Sequence, residues 1–271
     1  MAALALVLTT IAWGAWPQDV SLSGMAEHDG APVVLDGEYL DLIEELGAAV
    51  AHKPLAPAET LGTLGFAVGV STTFMFVDGE SEDGEPTIWE RARTDETASS
   101  YLFLPQLSVR KGLPFSLEVG VDAAWMGMSR QGVFGGQVRA ALVEGYKPWP
   151  DLTARLGYSG YVGNEELELG VLDVGATFGS TFAFGSFPGI RSAQFSPYLD
   201  YAMLRIAASP RVDADVAAAV GAVELTGSDA RILHQLGVGF QITNGTVVGR
   251  LAGTWIPGLV SSLTFGMGFD Y

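Results

Sequence analysis

The sequence predicts an all-β fold: a closed antiparallel transmembrane β-barrel of about ten strands, with eight or twelve as alternatives. Three observations predict it. Hydrophobic residues make up 48% of the 271 and charged residues only 17%, against roughly 25% charged in ordinary soluble domains; the mean hydropathy is +0.29. Beyond the extreme amino end there is no apolar run of 18 residues, so spanning by a helix is excluded. From Thr63 onward, apolar residues alternate with small or polar ones. Strands that cross lipid must close on themselves, because hydrocarbon offers an open edge no hydrogen-bond partner.

The same composition narrows function. A formal charge of −17 argues against nucleic acid as a partner, since phosphate binding needs clustered Lys and Arg. Without cysteine there is no disulfide scaffold and no thiolate metal site. The 35 glycines follow no Gly-X-Y period, which excludes collagen.

Residues 1–18 are uncharged and begin with an apolar run, the pattern of a secretory signal with a truncated basic region. Residues 19–62 read as a linker containing one helix, 36–51. There Tyr39, Leu42, Ile43, Leu46 and Val50 share one face, while Glu38, Asp41, Glu44 and Glu45 take the other. Pro54 and Pro57 end it. The expected place for this helix is against the short-turn rim of the barrel; a lumen plug or a docking site for a partner are the alternatives.

Residues 63–271 carry ten alternating segments. The first sets Phe66, Val68, Val70, Phe74 and Phe76 against Ala67, Gly69, Ser71 and Thr73. The next three center on Tyr101 to Arg110, Phe115 to Trp125 and Phe134 to Leu142, and the fifth to seventh on Leu152 to Val162, Leu172 to Phe184 and Phe195 to Met203. The eighth runs from Gln235 to Ile242, the ninth from Val247 to Trp255, and the last sets Leu263, Phe265, Met267, Phe269 and Tyr271 against Thr264, Gly266 and Gly268. A soluble sandwich would carry many charges on its polar face; here that face holds mostly Gly, Ser, Thr and Gln, as a narrow lumen requires. Compact turns at 111–114, 147–151, 186–193 and 243–245, the last with Asn244-Gly245, are expected on one side. Two long connections, 78–97 and about 208–229, fall on the other.

The closing stretch Leu263, Phe265, Met267, Phe269, Tyr271 resembles the terminal strand of bacterial outer-membrane β-barrel proteins. The resemblance covers 63–271 and is to the class, not to one family within it. It implies that Phe265, Phe269 and Tyr271 form an insertion signal for the barrel assembly machinery. It also implies contact with outer-membrane lipid and lipopolysaccharide, a periplasmic position for residues 19–62 and, as a further expectation, a periplasmic or outer-membrane protein partner.

No residue set points to catalysis. Only His28, His52 and His234 could supply a base near neutral pH, and His234 has lipid-facing parity. Residues 78–96 carry Asp78, Glu80, Glu82, Asp83, Glu85, Glu90, Asp95 and Glu96 without calcium-loop spacing, and read as a solvated acidic loop whose Arg91 and Arg93 could meet lipopolysaccharide phosphates. Neither a metal nor a cofactor is expected. By parity Arg110, Arg139, Arg155 and Arg250 face the lumen, as do Glu118, Asp122, Asp173 and Asp200. Four charges of each sign in a narrow interior are expected to pair and close it. Two functions follow: a narrow channel for passive transport of a small solute, or a structural or interaction barrel whose lumen is shut by ion pairs.

Overall fold

A computed structural model describes residues 19–28, 31–32, 37–77, 87–93, 100–127, 129–145, 149–183 and 193–271. Residues 1–18, where a signal segment is expected, most of the acidic loop, including Asp78 to Glu85, Asp95 and Glu96, and the turn residues Lys147, Pro148 and Ser186 lie outside them.

Ten strands form the barrel: β1 (Phe66–Phe76), β2 (Tyr101–Leu113), β3 (Leu117–Trp125), β4 (Gly132–Val143), β5 (Asp151–Val162), β6 (Leu167–Gly179), β7 (Ala193–Pro210), β8 (Arg231–Asn244), β9 (Val247–Ile256) and β10 (Val260–Asp270). Each pairs antiparallel with its sequence neighbours, and β10 pairs with β1 to close the ring. Tyr271 exchanges two backbone hydrogen bonds with Phe66 at that seam. Each strand has at least nine residues, the length that crosses hydrocarbon at a tilt. A two-residue piece, Phe182–Ala183, adds a short pairing to β7.

Alternation decides which residues face out. Val70, Phe134, Val238 and Met267 are each more than half exposed on the outer wall, together with Phe178, Leu199, Trp255 and many others. An apolar belt this continuous is compatible with lipid and not with water. Among the described residues no helix is long and apolar enough to cross a membrane; crossing is by strands.

Two expected boundaries shift. The third segment was expected from Phe115, but Phe115 and Ser116 both have positive φ, 65° and 54°. They turn the chain, so β2 runs on to Leu113 and β3 begins at Leu117, directly paired. The sixth segment was expected to reach Phe184, but β6 stops at Gly179 and Phe184 lies outside the described residues.

Both ends of the barrel sequence, Phe66 and Tyr271, sit at one rim, the turn end, with Leu113, Val143, Gly179 and Asn244 and the turns 114–116 and 245–246. The opposite rim, the loop end, carries Phe76, Trp125, Val162, Pro210 and Ile256 and the connections 129–131, 163–166, 211–230 and 257–259. Short helices α1 (Leu22–Ala26), α3 (Ile88–Ala92) and α4 (Ala214–Ala219) gather at the loop end. The expected long helix is present as α2 (Glu38–Val50), but not at the turn-end rim. It contacts β5, β6, β7 and α3 from inside, so of the three placements weighed, the lumen plug is the one realised.

Candidate functional site

The candidate site is the lumen, which the chain fills with its own residues 38–61. Its two halves are built differently. At the loop end the wall is apolar: Leu102, Leu104, Val133, Leu169, Val171, Leu204 and Ile206 point inward and join one buried cluster with Tyr39, Leu42, Ile43, Leu46 and Val50 of α2. The helix approaches so closely that a Cβ on Gly47 would lie 2.4 Å from Ile206 Cδ1, so a larger residue there would have to displace the Ile206 side chain. Three carboxylates of its acidic face find partners, while Asp41 is exposed. Trp89 Nε1 donates to Glu45 at 2.6 Å, Arg91 to Glu38 at 3.2 Å and Arg231 to Glu44 at 2.6 Å. Lys53 Nζ donates to the carbonyls of Ala48 and Ala51 at 2.6 and 3.0 Å, so an ammonium caps the negative end of the helix.

The segment preceding α1 is tied to the same rim. Arg130 pairs with Asp19 at 2.9 Å, and Val20 exchanges two hydrogen bonds with the Gln131 amide. Ser21 Oγ and the Ser23 N–H both donate to Glu166 at 3.0 Å. Partial burial acts to raise the Glu166 pKa, but the hydrogen bonds from Ser23 and Ser21 outweigh it and hold the carboxyl below the usual range. Arg93, expected to be available to phosphate, is buried with its guanidinium 5.1 Å from the Trp89 ring centroid. Arg91 is turned inward onto Glu38.

At the turn end the wall is polar and the inserted chain is extended. Pro54 and Pro57 supply carbonyls but no N–H, and the wall donates to them: Tyr198 Oη to Pro54 O at 2.8 Å and Arg139 to Pro57 O. Thr153 donates to Ala58 O, the Thr60 N–H to Glu144 at 2.6 Å, and the Leu61 N–H to Glu118 at 3.2 Å. All eight charges assigned to the lumen by parity are buried there. They pair in clusters, and Arg110, 3.8 Å from Asp270, joins its own cluster to that of Arg250. Arg155 bridges Asp173 and Asp200 at 2.9 and 3.0 Å. Glu118 accepts from Arg110 and Arg139, each at 3.0 Å. Arg250 pairs with Asp270 at 2.7 Å, and Asp122 lies 3.3 Å from His52 Nδ1.

Three of these partners were missed from the sequence. Asp270 has the inward parity of Gly266 and Gly268, a signal that was there to read. His52 and Lys53 carried none, because they precede the first strand. Beside the inserted segment remain cavities of about 30 and 20 Å³, the first edged by His52, Lys53, Arg110 and Arg250. Each has room for one or two waters.

Phe265, Phe269 and Tyr271 sit on the outer wall, 48, 52 and 73% exposed. His234 also faces out, with Nδ1 2.8 Å from the Tyr201 hydroxyl. Among the described residues no three His, Asp or Glu side chains form a group that could hold a metal.

No family model and no curated protein matches the chain. Solved structures do. The attachment invasion locus protein Ail of Yersinia pestis matches at 11% identity over 77% of this chain and 99% of its own, with a TM-score of 0.25. Acinetobacter baumannii Omp33 matches at 11% over 77% and 99%, TM-score 0.28. The transport unit of the Escherichia coli autotransporter AIDA-I matches at 11% over 86% and 98%, TM-score 0.38. The closed ring, apolar outer wall and strand lengths define a transmembrane β-barrel by themselves.

Proposed function

We propose that this protein is an outer-membrane barrel that serves as an interaction and presentation scaffold rather than as a passive channel. One observation carries the reading: residues 38–61 occupy the lumen along its length, and Asp19 to Ala26 are held at the rim opposite Phe66 and Tyr271. Wall groups donate to the inserted chain's own carbonyls, and the cavities beside it among the described residues have the size of one or two waters, too small for a solute to pass there. In the orientation of the outer-membrane class, with turns in the periplasm and long loops outside, the loop-end lid of α1, α3 and α4 faces the exterior. A protein or glycan partner would meet that lid. Assembly uses Phe265, Phe269 and Tyr271 as the signal to the barrel assembly machinery.

Two measurements test this. The purified protein in a planar bilayer is expected to be silent; steady conductance with ion selectivity would return the function to a channel. Because the chain has no cysteine, Ser23→Cys and Trp149→Cys each introduce a unique thiol, one at each end. On intact cells a membrane-impermeant maleimide is expected to label Ser23→Cys alone, with Trp149→Cys labelled only after permeabilisation. The reverse pattern would overturn the orientation.

A further inference from the structure

The outer wall is not uniformly convex. Across β6 to β9 it carries a groove of about 710 Å³ edged by Phe178, Leu199, Tyr201, Leu236, Val238 and Trp255. The register explains it. One row across the four strands reads Ala176, Tyr201, Leu236, Trp255, and the next row toward the turn end reads Phe178, Leu199, Val238, Gly253. The two small residues stand at diagonal corners, so the large side chains surround a floor that nothing covers. In hydrocarbon an unfilled groove forfeits the dispersion contacts of its lining. The molecules that surround the wall at this depth are lipid acyl chains.

The next rows toward the loop end change character. His234 lies opposite Met203, and Arg205 opposite Ile232. The Tyr201 hydroxyl and His234 Nδ1 are 2.8 Å apart and the two rings stack at 6.1 Å between centroids, so the hydrogen bond within the pair uses Nδ1 and not Nε2. Arg205 donates to the Gly227 carbonyl; its partner is thus a neutral oxygen, and a guanidinium has five N–H groups. The neighbouring Arg231 and Arg211 are engaged by Glu44 and Glu168. The apolar groove ends at the aromatic row of Tyr201 and Trp255; the exposed imidazole stands one row beyond it and the exposed guanidinium two rows beyond.

We infer that this groove is a binding site for a phosphate-bearing lipid of the loop-end leaflet, with one acyl chain along β7 and β8 and the phosphate held by Arg205 and His234. Arg matches phosphate in a bidentate geometry, and the groove fixes the chain below it. The site is on the wall and independent of the lumen.

Native mass spectrometry of the folded protein in detergent, with added dimyristoyl phosphatidic acid, tests the inference. One equivalent is expected to stay bound, while dimyristoylglycerol, with the same chains and no phosphate, and glycerol 3-phosphate, with the phosphate and no chain, each bind at least tenfold more weakly. Gly253→Trp fills one corner of the groove; a Cβ there meets nothing nearer than Ser262 O at 3.7 Å. It is expected to lower retention at least tenfold, and Ala176→Phe at the opposite corner does the same should the first variant fold poorly. Arg205→Gln is expected to remove the preference for phosphatidic acid over dimyristoylglycerol. Wild-type retention in a folded groove-filling variant, equal binding of the two lipids, or a dimer carrying no lipid would each overturn the inference, the last by making this face an interface between copies.

Discussion

The two halves of the lumen hold the same inserted segment by opposite means. At the loop end a helix satisfies its own backbone and buries apolar side chains against Leu169, Leu204 and Ile206; specificity there comes from shape, and Gly47 is its tightest point. At the turn end the segment is extended and contains Pro54 and Pro57, so its carbonyls have no partner of their own. The wall supplies Tyr198, Arg139 and Thr153, and the arginines are held in turn by Asp and Glu. The lesson is that a barrel interior accepts either an apolar plug or a hydrogen-bonded one, provided that each polar group brought in is met.

The contrast is broken most severely in the polar half. Arg155→Leu leaves Asp173 and Asp200 buried and facing each other, and is expected to cost about 3–5 kcal/mol, read as a lower urea midpoint for loss of heat-modifiable migration. Replacing Asp173 and Asp200 by Asn and Leu in the same chain should recover most of that loss. A triple variant as unstable as Arg155→Leu would show that the charges do more than neutralise one another.

In the apolar half, Gly47→Leu forces side-chain atoms into the space of Ile206, with an expected cost of about 1–3 kcal/mol. Here the readout differs: α2 is expected to loosen while the barrel stays closed, and bilayer recordings should show conductance that the wild type lacks. A silent Gly47→Leu barrel of wild-type stability would mean that the extended segment alone seals the lumen.

Tyr198→Phe removes one donor to Pro54 O and is expected to cost about 1 kcal/mol, without opening the pore. Hydrogen exchange in residues 53–56 should rise while that in α2 does not; a parallel rise in both would show the halves to be coupled.

The smallest effect belongs to the lid. The Glu166 carboxyl is held below its usual range, so its contribution is complete above the unfolded value, about 4.3, and is lost as pH falls through the lower folded one. Exchange at residues 21–26, corrected for its intrinsic pH dependence, is expected to speed up on acidification in the wild type. In Glu166→Gln it should be fast throughout; an unchanged slow rate in that variant would mean that Asp19 and Gln131 hold the lid unaided.

What the sequence showed and what it hid divide along distance. The parity of Val121 and Asp122, or of Phe265 and Thr264, is set by adjacent residues and was legible. The helix itself was legible from its 3.6-residue period. Its neighbours were not: Glu45, Glu44 and Glu38 look like a solvated face until they meet Trp89, Arg231 and Arg91, which lie 44, 187 and 53 residues away. The grouping of the lumen charges was hidden for the same reason, since parity says which residues face inward but not which strands stand opposite.

By itself, then, the sequence determined that strands form, which face of each meets lipid and that the ring must close, because period-two alternation is local and hydrocarbon tolerates no open edge. Only the tertiary structure decided that residues 38–61 run inside the ring and which rim α2 reaches. That choice depends on a cavity whose width, apolar upper wall and charged lower wall exist only once ten strands have come together.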